Sequence, residues 1–218
     1  AHQTITVVPI GTRADTAGVK RASKQPYQLE TPFVTVTLDA ADSRPVTVNG
    51  LPYPSGSTGT SAFPGEYVAT VAGTPLLAGA TARATYDDNA AGTLAAHIAL
   101  PAPTAAAGAK SAVQSAVNTA LTACAASTSA TPTGCPFRYN DSSAEMKWAI
   151  AANPTVHIQV GADGTVTFDD SGRASSVTYE ATTTNWFGFS ETHTGTAAFD
   201  VTGAATANTS GVVVTFGH

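Results

Sequence analysis

The sequence predicts an α+β protein that is mainly β, a small antiparallel β module followed by a module of one helix packed on a curved antiparallel sheet. Three observations predict it. Short runs of alternating apolar and polar residues, the period of a half-buried strand, recur along most of the chain. A single alanine-rich segment has apolar residues at three- and four-residue steps, the period of an amphipathic helix. Pro101-Ala-Pro103 separates the two patterns. The 218 residues suit one large domain or two small ones. We divide them into an arm or edge strand over 1–30, an antiparallel β module over 31–101, and a helix with its sheet over 104–218.

Residues 1–30 are weakly patterned. Ile5, Val7 and Val8 suit a strand, and Arg13, Lys20, Arg21 and Lys24 suit an exposed basic arm. In Phe33 to Leu38, Val34, Val36 and Leu38 share one face. Val46 to Val48 runs into Asn49-Gly50, a strong hairpin turn. Leu51 to Gly59 reads as a loop. Phe63-Pro-Gly-Glu66 is a turn into the strand Tyr67 to Val71. Ala80 to Tyr86, a turn at Asp87 to Gly92, and Thr93 to Leu100 complete this module.

Thr104 is a candidate N-cap for a helix running to Ala126. Alanine has the best helix propensity, and Val113, Val117, Ala120, Leu121 and Cys124 form one apolar stripe. Pro132 stops any continuation. Period two then returns in Met146/Trp148/Ile150, Val156/Ile158/Val160, Val166/Phe168, Val177/Tyr179, Phe199/Val201 and Val212/Val214/Phe216. We read these as a meander whose concave face grips the helix. The two cysteines, Cys124 and Cys135, flank a polar loop. We read them as a disulfide tying the helix end to the first strand. The alternative is two buried free thiols.

Composition excludes several functions. Lys and Arg number 10 against 15 Asp and Glu, a net charge of −5, and charged residues are 11% of the chain. Nucleic-acid binding needs clustered cations and is excluded. No apolar run reaches the length of a membrane span. Low charge, 42 alanines, 35 threonines and two cysteines suit an extracytoplasmic protein, secreted or membrane-anchored. The start Ala-His-Gln-Thr has no signal-peptide pattern, which suits a mature form or an ectodomain.

No catalytic set emerges. There is no Gly-x-Ser-x-Gly elbow and no Ser-x-x-Lys pair, and neither cysteine has a neighbouring His or Lys. His97 lies in a strand, and His157 points away from the face of Val156 and Ile158. Glu191 and His193 share one side of their segment, but they lack the third ligand a metal needs. Asp87-Asp88-Asn89, Asp163 and Asp169-Asp170 read as turns rather than calcium loops. Lys20, Lys24, Lys110 and Lys147 are the lysines open to a Lys–Asn crosslink, and Lys147 is expected to face water. No cofactor is expected. Asn140-Asp-Ser142 and Asn208-Thr-Ser210 match the glycosylation pattern and decide nothing. The most unusual feature is Asn185-Trp-Phe-Gly-Phe189, where Trp186, Phe187 and Phe189 either plug the open end of the sheet or form an exposed contact patch.

Two segments carry a resemblance. Val46-Thr-Val-Asn-Gly-Leu51 with Phe63-Pro-Gly-Glu-Tyr-Val-Ala-Thr-Val71 resembles PEGA-like envelope modules. Val117 to Cys124, with Pro132-Thr-Gly-Cys-Pro-Phe137, is similar to the exported region of actinobacterial single-span membrane proteins of unknown function. The resemblance implies an envelope-exposed ectodomain, cystatin-like or nuclear-transport-factor-like in its second module, without catalytic residues to transfer. The expected role is non-enzymatic, in binding or spacing, with an envelope protein, a glycan or a lipid as partner. The alternative is a small-ligand or lipid binder, or an enzyme, using a cavity between helix and sheet.

Overall fold

The computed structural model describes residues 7–9, 27–29, 33–40, 42–54, 57–85, 87–88, 94–170 and 175–217, with backbone alone for 7–9, 27–29, 87–88 and Leu94. The expected arm and most of the turn from Asp87 to Gly92 lie outside these residues. Among the described residues the fold is α+β and mainly β, with one helix and several antiparallel sheets. Strands β1 (Val7–Pro9) and β2 (Tyr27–Leu29) pair antiparallel as a separate two-stranded sheet.

The next eight strands are β3 (Val34–Asp39), β4 (Val46–Val48), β5 (Leu51–Pro52), β6 (Thr60–Ala62), β7 (Glu66–Val71), β8 (Ala80–Thr85), β9 (Asp87–Asp88) and β10 (Leu94–Ala99). They form two four-stranded sheets, β6-β3-β10-β9 and β5-β4-β7-β8. One cluster fills the space between them: Val34, Val36, Ala96 and Ile98 from the first sheet, and Val46, Tyr67, Ala69 and Val71 from the second. Alternation places these side chains inward, since successive strand residues face opposite ways. One pair departs from the antiparallel expectation. β10 runs parallel to β3, with Ala96 opposite Val36. A parallel neighbour needs a long crossover, and here the whole β4–β8 segment supplies it. At the Asn49-Gly50 turn both residues have positive φ, and the Asn49 side chain accepts from Val68 N (2.8 Å) and donates to Glu66 O (3.2 Å).

Helix α1 spans Ala109–Ala125 and starts four residues later than the Thr104 cap implied. Strand-type pairing claims the intervening residues. Ala78 N donates to Thr104 O and Ala106 N to Leu76 O, with Leu77 bridged to Ala105. The buried stripe of α1 is Ala109, Val113, Val117, Leu121 and Cys124.

Seven strands follow: β11 (Glu145–Ala152), β12 (Val156–Val160), β13 (Val166–Asp170), β14 (Ser175–Thr184), β15 (Ser190–Phe199), β16 (Thr202–Asn208) and β17 (Gly211–Phe216). They do not form one meander. β11-β14-β15 is one sheet and β12-β13-β16-β17 another. The second edge of β13 is occupied by β16, so β14 pairs with β11 instead. The helix packs on β11, β12 and β17, so it spans both sheets. Gln114 fastens it to β12. Its amide oxygen accepts from Val156 N (3.0 Å) while its nitrogen donates to Pro154 O (2.9 Å), imitating a strand backbone. The shared core holds the helix stripe with Met146, Trp148, Val156, Val166, Phe168, Val177, Phe199, Val201, Ala205 and Phe216. Each fully buried Val or Leu side chain stabilises by about 1.5–3 kcal/mol relative to exposure.

The Sγ atoms of Cys124 and Cys135 lie 1.97 Å apart, at disulfide distance. The enclosed loop also lies along β11, with Met146 N donating to Thr128 O and Trp148 Nε1 to Ser129 O. Removing both cysteines (C124A/C135A) is expected to lower the unfolding free energy by about 2–3 kcal/mol, the loop-closure scale. Urea titration of the two forms checks this, and an unchanged midpoint would contradict it.

Leu76 and Leu77 come from the first half of the chain but are buried in the helix-centred core. Their loop is clamped by Arg44, whose guanidinium donates to Ala72 O (3.1 Å) and Ala78 O (2.8 Å) and pairs with Asp42 at 2.7 Å. An added Cβ at Gly164, in the β12–β13 turn, would meet Asp42 Cβ at 2.9 Å, so this clamp is also where the two halves touch. The Arg44 hydrogen bonds hold the Asp42 carboxyl below the ordinary carboxylate range, against the opposing effect of burial. A depressed folded pKa contributes stability above the unfolded value of about 4 and loses it as pH falls through the folded value. Asp42→Asn is therefore expected to cost about 1.5–3 kcal/mol at pH 7, the scale of a charged hydrogen bond. It is also expected to flatten the acid branch below about pH 4. Chemical denaturation across pH measures both.

Candidate contact site

Strands β14 and β15 form a hairpin in register from Ser175↔Phe199 at its base to Thr184↔Ser190 at its end. Base and end have different surroundings. Near the base, Ser175, Val177, Ala181 and Phe199 are buried. Across Gly195, the Tyr179 ring fills the place of a side chain, since an added Cβ would meet its hydroxyl at 2.5 Å. β11 flanks β14 as far as Thr182, opposite Glu145. Beyond that pair the ribbon is two strands wide, and β15 is exposed from Ser190 to Thr194. Hydroxyls face each other across it, Thr182 with Thr192 (3.3 Å) and Thr184 with Ser190 (2.9 Å).

At the end stands the aromatic turn. Trp186 is 86% exposed, Phe187 65% and Phe189 72%, so the core-plug reading fails. The core carries its own aromatic cluster. Phe137 packs on Trp148 (5.0 Å) and Phe199 (5.4 Å), and Tyr139 on Tyr179 (5.1 Å). The turn is ordered by Asn185 and Gly188. Gly188 has φ +84 and donates to Asn185 O, while Asn185 N donates to Phe189 O. Asn185 Oδ1 accepts from Phe187 N and Phe189 N, both at 3.0 Å. This is a three-residue hairpin loop closed by a left-handed glycine. The Trp186 and Phe187 rings lie 3.6 Å apart, centroid to centroid.

The other candidate residues are dispersed. His97 contacts Thr37 Oγ1 and Asp39 Oδ2, both at 3.0 Å and exposed. His157 is exposed. His193 lies 3.4 Å from Glu191, also exposed. Lys147 pairs with Glu180 at 2.8 Å, which raises its pKa. Asp163 accepts from the Thr165 amide and hydroxyl, and those bonds hold its carboxyl low. Asp141 does the same with Ser143. These are turn-forming contacts. Among the described residues no group of three or more His, Cys, Asp or Glu is placed to hold a metal. Among them, too, no helix is long and apolar enough to cross a membrane.

The space between α1 and its sheets is filled by Val113, Val117 and Leu121, each 0% exposed. Open grooves lie outside it. One of about 550 Å³ runs between the Ala112–Ala116–Ala120 flank of α1 and β17, and its lining carries no charged side chain. One of about 460 Å³ lies over Lys147, Tyr179 and Glu180. Sequence reasoning missed the groove beside β17, and also the exposed Phe33–Phe63 ring pair (5.1 Å). Alternation marked Phe33 as off the Val34 face, which was the available signal for its exposure.

Compared with known proteins, the chain matches no protein-family model, no curated protein and no solved structure.

Asn185→Ala removes the acceptor that orders the turn. It is expected to speed hydrogen exchange at the Phe187 and Phe189 amides. Global stability should stay within about 0.5 kcal/mol, as for an exposed substitution. Exchange read by NMR separates the two effects.

Proposed function

We propose that the chain is a non-enzymatic extracytoplasmic domain of the cell envelope, which binds its partner through the aromatic turn of the β14–β15 hairpin. One observation carries this reading: three large apolar side chains stand exposed together on an ordered turn. Isolated exposed apolar residues are ordinary, but a contiguous group at a projecting end is the mark of an interaction surface. The cystine supports an oxidising compartment. The resemblance to the exported regions of actinobacterial envelope proteins points the same way. The rest of the fold then acts as a spacer, with the helix-centred core holding the hairpin at its end.

A second reading places a ligand in the groove between α1 and β17. It is favoured by the uncharged lining and by β17 pairing, among the described residues, with β16 alone.

The test compares wild type with W186S/F187S/F189S for binding to an isolated actinobacterial envelope fraction. All three positions are exposed, so the thermal midpoint is expected to stay unchanged while envelope binding falls by about tenfold or more. Binding that survives the triple substitution would overturn the reading and move the contact to the groove.

A further inference from the structure

We infer that the aromatic turn docks into the interface of an uncharged lipid bilayer, which rests on the reading of this turn as the contact site and names its partner. Four observations carry it. The first is charge. Ala181 to Ser190 contain no ionisable side chain, and the nearest on either side are Glu180, which is paired with Lys147, and Glu191, which lies 3.4 Å from His193. Such an end is neutral where it would enter and carries no cationic cluster to hold anionic headgroups. Its chemistry therefore suits a zwitterionic surface and gives no electrostatic anchoring.

The second is the backbone. Entering an apolar medium is costly for unpaired amides. Four N–H groups of the turn donate within it: Asn185 to Phe189 O, Gly188 to Asn185 O, and Phe187 and Phe189 to Asn185 Oδ1. The hydroxyls just behind, Thr184 and Ser190, bond to each other. The turn is thus largely self-satisfied before it meets a partner.

The third is the same bonding viewed against a glycan partner. Sugar recognition requires polar side chains beside the rings. Asn185 Oδ1 and one of the two Thr184 and Ser190 hydroxyl protons are already used inside the hairpin, which reduces the polar capacity left for a sugar.

The fourth is area. Three aromatic side chains of about 150–250 Å² each stay below the about 800 Å² per partner of a stable protein interface. An interfacial lipid contact has no such threshold, because its strength scales with whatever apolar area is inserted. Tryptophan in particular suits the headgroup level, where its ring is sheltered and its N–H is wet.

The test uses the full chain and phosphatidylcholine vesicles in a sedimentation assay. Wild type is expected to cosediment weakly and reversibly. W186S/F187S/F189S should partition at least about tenfold less, in proportion to the apolar area removed. Added sodium chloride should change neither, and replacing part of the lipid with phosphatidylglycerol should not strengthen binding. Absence of vesicle binding would overturn the lipid assignment. If tip-dependent binding to the envelope fraction persisted in that case, the turn would remain the contact site with a glycan or protein as its partner. Vesicle binding equal in wild type and triple variant would also overturn the lipid assignment, and envelope binding equal in the two would overturn the contact reading.

Discussion

The structure depends on the burial of one uncharged helix face. Helix α1 has a single ionisable residue, Lys110, and a stripe of Val113, Val117 and Leu121 that no solvent reaches. Most helical stability in proteins comes from packing an amphipathic face rather than from propensity, so packing decides whether α1 forms. It forms because both sheets of the second half and the Leu76–Leu77 loop of the first close over the same stripe. The cystine pins the end of that helix, and Gln114 ties its middle to an edge strand.

The ionisable groups tell a parallel story. Arg44 with Asp42, Arg83 with Glu66, Lys147 with Glu180 and His97 with Asp39 are pairwise contacts on separate elements. Of these the Asp42–Arg44 pair is the sheltered one, and it holds a junction rather than a reactive centre. Asp141 and Asp163 spend their oxygens on their own turns. The surface away from the hairpin is mostly threonine, serine and alanine. The projecting turn is therefore its most distinctive chemical feature.

Much of this was legible in the residues. The alternation at Val34/Val36, Met146/Trp148 and Val166/Phe168 placed those side chains inward, and the three- and four-residue steps located α1. Its C-terminal end was readable to one residue. Its start was not, because pairing between Leu76–Ala78 and Thr104–Ala106 is a long-range effect that a helix propensity does not contain. β16, Thr202–Asn208, lacks large apolar residues and gave no period to detect. Pairing order was also beyond reach. Alternation tells which face of a strand is buried, but not that β13 takes β16 and leaves β14 to β11. For Asn185 to Phe189 the residues showed an anomaly and both of its meanings. What decided between them was the length of β14 and β15, which carries the turn past the end of β11.

The two tryptophans offer the most direct test of the central claim that this turn is a ready-made surface held outside a filled core. Trp148 is 6% exposed and Trp186 is 86% exposed. The difference in fluorescence between wild type and Trp186→Phe isolates the second. The account predicts a difference spectrum typical of indole in water, fully quenched by acrylamide, with the remaining Trp148 emission protected. A blue-shifted, quencher-resistant difference spectrum would mean that the turn folds back onto the protein, and would contradict it.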